Sequence, residues 1–500
     1  MRFSRSSGIL LPVSALPSPY GIGDLGPSAY KFVDWLRDAH QSLWQILPFS
    51  IADDFGCPYS SCSAYGGYPL LISPDRLVED GLLAKSDLHD ATDLFGKRVR
   101  YDLVQEYKRI LFYKAWDNFK KKKIFGFEFA SFVEDERRQW LRDLALFLVL
   151  SEQMGPRWWE WPEKFKNRDA DALEKFRKNN EEQINFHKFL QFLFFRQWGA
   201  LKSYANSSGI KLIGDIPIFL SHQSMDVWKD PHYFKLAGGE PYVVTGAPPD
   251  QFSAIGQKWG NPNYNWPEME KNGFQWWINR VAFNLRHYDI IRLDHFRGFA
   301  ATWEIPADNP DPRSGYWSPV PGHNLFHCLG EKLGDLPIIA EDLGKITPDV
   351  IWLRDRFGFP GMKILQFAFN EGDHSANLPH NWGTDNCVVY TGTHDNQTTK
   401  GWAEHAQVLE KHYAYRYSNA WNWENLNWSL AALAINSQAL ISLLPLQDVM
   451  GLGNEGRINV PGTQGSWNWS WRFRWEDIKQ ENIEHLRHLT RESHRNTFLK

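Results

Sequence analysis

This chain has little that would cross-link it. It contains four cysteines in 500 residues, at Cys57, Cys62, Cys328 and Cys387. No two form a C-x-x-C pair, which argues against both a zinc-ribbon pattern and a disulfide framework. Reduced structural thiols fit a cytoplasmic protein, which is the expected location. Long apolar runs are also missing. The stretch from Ile435 to Leu446 is broken by Asn436, Ser437 and Gln438, and Ile9-Leu10-Leu11 stops at Pro12. No membrane span and no signal-peptide core are expected. A charge excess of one sign is lacking too. The formal net charge is −4, which gives no electrostatic case for nucleic acid or an anionic membrane as partner. There is no internal repeat and no low-complexity segment.

What is abundant is aromatic. Trp occurs 25 times, and aromatic residues make up 15% of the chain. Most belong in a large core, but a handful of flat faces at a site would suit the CH faces of sugar rings. The apolar fraction of 43% and charged fraction of 23% are ordinary for a globular protein. Strand-like runs recur with helical stretches between them. They cover Gly8 to Leu16, Ser42 to Phe49, Lys211 to Leu220, Ile290 to Phe296, Pro337 to Gly344, Met362 to Phe369, Val388 to Asn396 and Ala439 to Leu446. Eight strands alternating with helices predict an α/β fold, a (β/α)8 barrel forming one catalytic domain over 1–500. The gap 73–206 has helical periodicity and reads as an insertion subdomain after the second strand. Its Lys120-Lys123 run reads as a solvated helix face. The gap 221–286 is rich in Gly and Pro and reads as an irregular loop insertion over a cleft. The tail from Glu476 to Leu499 reads as a charged helix, with His485, His488 and His494 on the surface rather than on a metal.

Three of the strand-like runs end on carboxylates: Asp294, Glu341 and Asp395. The C-terminal rim of a parallel barrel is where such folds place chemistry. Three acids on one rim suit acid/base and nucleophilic work on a sugar, where one carboxyl protonates the leaving oxygen and another attacks carbon. Arg292 lies two residues before Asp294, so both side chains point to one strand face. A cation there favours an ionised nucleophile. Glu341 has no basic residue at that offset, so a poorly solvated Glu341 suits the acid/base role. Asp395, between His394 and Asn396, suits a grip on sugar hydroxyls. A single acid at a strand end is usually a cap or an ion-pair partner. Three together shift the balance to a site.

Four ordered motifs carry a family resemblance: Gly214-Phe219 (GDIPIF), Ile290-Gly298 (IIRLDHFRG), Ile338-Gly344 (IIAEDLG) and Thr391-Asn396 (TGTHDN). With Cys57-Ser61, Gly256-Pro262, Asn459-Thr463 and Trp467-Arg472, the set resembles the amylomaltases, the 4-α-glucanotransferases of glycoside hydrolase family 77. The resemblance runs nearly end to end. It implies a retaining double displacement on α-1,4-glucans, with a glucan donor and a glucose or maltooligosaccharide acceptor as partners. By motif position it makes Asp294 the nucleophile, Glu341 the acid/base and Asp395 the transition-state stabiliser. Asp215 and Arg292 would support the donor-side subsite next to the scissile bond, with His295 and His394 holding hydroxyls there, and Tyr59 would stack on the sugar in it. Trp259 would shape the acceptor side. The loops Ala247-Ser253 and Asn459-Gln464, the latter including Pro461 and Gln464, would cover the cleft. The resemblance implies no cofactor, no metal, no C-terminal β-domain, and a monomer or homodimer. The chain departs from the family's pattern at Asp53-Asp54-Phe55-Gly56, where Asp54 cannot stack on a sugar, at Asn370 and at Gln397. The latter two bear on acceptor contacts. Tyr101 is a remaining candidate for an outer sugar contact.

Other readings are weaker. A glucan hydrolase on the same scaffold would keep the three acids but lose the loop cover. Gly21-Ile22-Gly23-Asp24-Leu25-Gly26 matches GxGxxG, but flanking prolines and Gln45, where a dinucleotide site needs an acid, argue against it. A catalytically dead glucan binder would not need all three carboxylates.

Overall fold

Eight short parallel strands close around an apolar plug in the computed structural model, which describes residues 3–88, 96–250, 253–420 and 423–495. The strands are β1 (Ser6–Leu10), β2 (Leu43–Gln45), β3 (Lys211–Ile216), β4 (Ile290–Leu293), β5 (Ile338–Ala340), β6 (Gly361–Ile364), β7 (Cys387–Tyr390) and β8 (Ile441–Pro445). Each of β1 to β4 pairs with the next, β6 pairs with β7, β7 with β8, and β8 returns to β1. The β5–β6 seam is joined where Ala340 N donates to Pro360 O at 2.9 Å. This is a (β/α)8 barrel.

Strand periodicity explains both the plug and the site. Side chains alternate between the barrel interior and the helix layer. Leu10, Leu43, Ile213, Ile290, Ile339, Val388, Tyr390 and Leu443 belong to one interior cluster, whereas Ile291, Ile338 and Val389 pack outward. Two residues beyond Ile213 comes Asp215, two beyond Ile290 comes Arg292, and two beyond Ile339 comes Glu341. The inward column that fills the barrel thus becomes polar at its C-terminal rim. Gly8 permits close strand approach, since a Cβ there would fall 2.2 Å from Leu43 O.

Several strands are shorter than their apolar runs. Past β1, Val13–Ala15 form a 3-10 turn after Pro12, and past β6, Leu365–Phe367 do the same. These turns are buried, so burial rather than strand pairing explains their apolar residues. Between β2 and β3 run helices Tyr101–Lys122, Gly126–Glu134, Gln139–Met154, Ala170–Asn179 and Glu181–Ser207. Gln191 and Gln197 of the last helix pin the β2 loop. Each accepts and donates one backbone bond, Gln191 with Gly67 and Gln197 with Ser73. Phe189, Phe192, Phe194, Phe195 and Trp198 of the same helix are buried, where most of the aromatic excess goes.

The stretch 221–286 holds more regular structure than its Gly and Pro content suggests. Val243–Ala247 and Gln257–Pro262 join Ala301–Pro306 and Tyr316–Pro319 in a four-stranded antiparallel sheet. The partner strands follow β4, so the pairing that orders the segment is distant in sequence. Helix Gln480–Glu492 packs the C-terminal part of the chain against the barrel. No helix among the described residues is long and apolar enough to cross a membrane.

Candidate active site

A cavity of about 510 Å³ opens at the C-terminal rim of the barrel, within the size range of ligand sites. Asp294, Glu341, Asp395, Tyr59, Trp259, Arg292, His295, His394, Pro461 and Gln464 all line it. Asp215 does not; it lies behind Arg292 and Tyr59.

Arg292 organises one wall. Its Nη1 reaches Asp215 Oδ2 at 2.6 Å and Asp294 Oδ1 at 2.9 Å. Burial alone would lower the Arg292 pKa, but Asp215 and Asp294 together hold it well above its usual value. Asp294 therefore faces a permanent cation. Asp215 is fully enclosed, and burial raises its pKa against the pull of Arg292. Its role is to orient: Tyr59 Oη donates to Asp215 Oδ2 at 2.8 Å. Tyr59 has one hydroxyl proton. With that proton on Asp215, the 3.0 Å contact between Tyr59 Oη and His394 Nε2 requires His394 to donate. The Tyr59 and His394 rings lie nearly parallel, 5.4 Å apart.

Glu341 is treated differently. Among the described residues its oxygens accept only from backbone, His295 N at 2.6 Å and Leu343 N at 2.9 Å. The residue is 8% exposed, and burial raises its pKa well above the usual carboxylate range, against the opposing field of Arg292. His295 sits in the left-handed region at φ 50, which turns its N–H onto Glu341. Burial lowers the His295 pKa to about 4, so its ring is neutral. Trp259 meets that ring edge to face at 4.8 Å.

Asp395 completes the rim. Its Oδ1 accepts from Asn459 Nδ2 at 2.6 Å, and its Oδ2 lies 3.3 Å from His394 Nε2. The loop that carries it is bracketed by Asp448, which accepts from Thr391 Oγ1 and from Thr399 N and Oγ1. The loop with Pro461 and Gln464 is braced by Asn468, whose Oδ1 accepts from Val460 N and whose Nδ2 donates to Thr463 O. Ala247, Pro248 and Asp250 reach the cavity from the opposite side, while Gln251 and Phe252 lie outside the described residues.

Several site residues escaped the sequence reading. Asn459 and Trp469 lie within the motifs 459–463 and 467–472, which give neither a role of its own. Trp469 adopts φ 59 and brings its ring 5.7 Å from that of Tyr59. Phe55, at 42% exposure, lines the cavity beside Asp53, whereas Asp54 does not. Tyr101 is not an open sugar platform. Its ring backs onto Gly56, where a Cβ would fall 2.0 Å away, and its hydroxyl donates to Trp469 O at 2.8 Å. Asn370 and Gln397 are absent from the cavity lining. Gln397 is tied down instead, its carbonyl accepting from Gln366 Nε2.

Comparison with known proteins identifies the family. A family model described as 4-alpha-glucanotransferase matches residues 11–478. A 4-alpha-glucanotransferase of Synechocystis sp. is 44% identical over 492 residues, 97% of this chain and 97% of that protein. One from Thermus thermophilus is 42% identical over 505 residues, 99% of this chain and 100% of that protein. Among solved structures, an amylomaltase from Streptococcus agalactiae in complex with acarbose superposes with a TM-score of 0.95 at 38% identity, over 98% of this chain and 99% of that one. A match of this extent, by sequence and by fold, makes the chain a member of the 4-α-glucanotransferase family, glycoside hydrolase family 77.

Proposed function

We propose that Asp294 is the nucleophile, Glu341 the acid/base and Asp395 the transition-state stabiliser of glucan transfer in this 4-α-glucanotransferase. The observation that carries the assignment is the contrast between two carboxyls on adjacent strand ends. Asp294 is ion-paired to Arg292 at 2.9 Å, as suits a group that must attack as an anion. Glu341 is buried, and its pKa is raised well above the usual range, as suits a group that must deliver a proton.

The steps follow from these roles. An Asp294 oxygen attacks the anomeric carbon of an α-1,4-linked glucan while the bond to the leaving glucan breaks. Glu341 gives its proton to the leaving oxygen. A glycosyl ester on Asp294 results. The 4-hydroxyl of an acceptor sugar then attacks the same carbon, Glu341 takes the hydroxyl proton, and Asp294 departs. Two inversions retain the α configuration. Glu341 must exist in both protonation states. Burial favours the protonated one, and the two backbone N–H donors favour the ionised one. Tyr59, His394 and Asp395 would hold the donor sugar, with Asp215 and Arg292 supporting them. His295 would hold hydroxyls of the same donor sugar, and Trp259 would shape the acceptor side.

Transfer wins over hydrolysis when the ester is shielded and a sugar is held in place. The loops on both sides of the cavity, with Pro461 and Gln464 on one and Asp250 on the other, suit that role. The segments 73–206 and 221–286 would act as parts of one catalytic unit, working as a monomer or homodimer. Incubation with maltotriose tests the reading. Glucose plus a ladder of longer maltooligosaccharides, with little gain in reducing ends, is expected. A proportional rise in reducing ends without longer products would make the enzyme a hydrolase.

A further inference from the structure

Phe55 lines the catalytic cavity, yet its ring stays in water. It is 42% exposed and belongs to neither apolar cluster of the fold. One exposed apolar residue is ordinary. What sets this one apart is how firmly its turn is held. Asp53 Oδ1 accepts from Phe55 N at 3.0 Å and from Cys57 N at 2.9 Å, and Asp53 O accepts from Gly56 N at 2.9 Å. Gly56 closes the turn at φ 80, in the left-handed region. A Cβ at Gly56 would fall 2.0 Å from the Tyr101 ring, so the turn rests directly on that ring. The phenyl ring of Phe55 projects from a fixed base.

The anchorage of the turn tells which wall of the cavity it belongs to. Tyr101 Oη donates to Trp469 O at 2.8 Å, and the Trp469 ring lies 5.7 Å from that of Tyr59. Phe55 is therefore tied to the wall built by the loops after β2 and β8. Tyr59, on the same loop as Phe55, reaches Asp215 behind the cavity. Trp259 and Trp317, by contrast, come from the four-stranded sheet. A glucan on the Tyr59 wall starts at Asp294 and runs outward to the exposed Phe55. Sugar rings present apolar CH faces, which a flat aromatic ring can cover. A ring on a fixed turn gives up little freedom in doing so.

We infer that Phe55 is a stacking platform for an outer glucosyl unit of the donor glucan, the third or a later one from the reacting carbon. It would thereby favour long donors over short ones. The inference rests on Tyr59 and Asp294 holding the donor in glucan transfer.

The test uses the full-length enzyme with α-maltosyl fluoride and α-maltotetraosyl fluoride as donors, glucose as acceptor, and fluoride release as readout. Both donors fill the two positions nearest Asp294, and only the longer one reaches further. In Phe55→Ala, kcat/KM on the longer donor should fall about three- to tenfold relative to the shorter, the effect of losing one stacked ring. Phe55→Tyr keeps the flat face and should leave the ratio close to that of the unmodified enzyme. Phe55→Leu keeps bulk without the flat face and should shift the ratio by a smaller factor than Phe55→Ala; it decides if the alanine variant does not fold. Equal changes on both donors, or none, overturn the platform. A change confined to KM for maltotriose as acceptor would also overturn it, by placing Phe55 on the other side of the reacting carbon. If the unmodified enzyme makes nothing longer than its donor, the transferase reading fails, while fluoride release to water still decides the donor ratio.

Discussion

Asn459 holds both Asp395 and the residue before it. Its side-chain amide donates to Asp395 Oδ1 at 2.6 Å, and its backbone N–H donates to the carbonyl of the preceding His394 at 3.1 Å. Arg457 closes the clasp, giving Nη2 to Asp395 O at 2.8 Å and Nε to Asn459 O at 2.7 Å. The third carboxylate and the root of the covering loop are therefore one hydrogen-bonded unit. Asn459→Ala should loosen Asp395 without removing its charge. A hydrogen bond to a charged group contributes about 1.5–3 kcal/mol, so kcat/KM should fall roughly ten- to hundredfold. Initial rates of maltotriose disproportionation measure it. A loss of less than about threefold would mean that Asp395 is held well enough by its own loop.

Glu341→Gln isolates the proton step. The amide keeps the shape but has no proton to give. On maltotriose, activity should fall by roughly 10²–10⁴, the usual weight of a general acid. Fluoride departs without protonation, so α-maltosyl fluoride should restore much of the first step, read as fluoride release. Equal losses on the two donors would remove Glu341 from the acid role.

Buried ionisable groups give this fold opposite pH limbs. Burial lowers His295 to about 4 and His287 to about 3. A histidine whose folded pKa is depressed contributes stability above its unfolded value, about 6.5, and that contribution is lost as pH falls toward the folded pKa. Glu341 runs the other way. Its raised pKa contributes stability that is full below the unfolded carboxyl value and lost as pH rises through the folded one. His287 packs against Phe195 and Phe283 with ring centres 4.7 and 4.6 Å away, so Phe should fit there. His287→Phe should flatten the decline of Tm between about pH 6.5 and 4, and Glu341→Gln should raise Tm on the alkaline side. Calorimetric scans on the acid and on the alkaline side check the two in turn. An acid limb unchanged by His287→Phe would assign it to other groups.

The rim was legible in the sequence because strand periodicity is strict. Ile290, Arg292 and Asp294 share a face by count alone, and Ile339 and Glu341 repeat the pattern. Their neighbours distinguish the acids, with Arg292 beside Asp294, no cation at that offset from Glu341 and His394 beside Asp395, and the motif resemblance implies the same roles. What escaped was set by contacts between distant residues. Asn459 meets Asp395 across 64 positions, and nothing in either local sequence marks the pairing. Trp469 joins the wall through a left-handed backbone that an aromatic rarely adopts. The strands looked too long because burial continues past the last ladder bond into turns at Val13 and Leu365. The sheet at 243–319 depends on a distant contact in the same way: the ladder of Val243–Ala247 with Ala301–Pro306 joins two hairpins that lie on either side of β4.

Arg495 offers a test at the opposite end of the barrel from the chemistry. It is fully buried and donates to Ser6 O, Ile435 O, Ser437 O, Ala439 O and Leu440 O at 2.6–3.1 Å. These carbonyls lie at the start of β1 and just before β8, so one side chain ties the C-terminal segment to the floor of the barrel. Burial with no carboxylate among these partners pushes its pKa down to about 9. Arg495→Met would keep the bulk and remove all five bonds, while Leu440 O keeps Ser6 N and Ala439 O keeps Arg5 Nη1 as donors. Unsatisfied buried acceptors cost about 1–3 kcal/mol each before relaxation and water entry, so a net loss of about 3–5 kcal/mol is expected. For a chain of this size that is a fall in Tm of roughly 3–5 °C. Activity per folded molecule at low temperature should not change, because Arg495 touches nothing in the cavity. Scanning calorimetry beside a maltotriose assay separates the two readouts. An unchanged Tm would mean that water satisfies these carbonyls as well as the guanidinium does, and the floor would not depend on this residue.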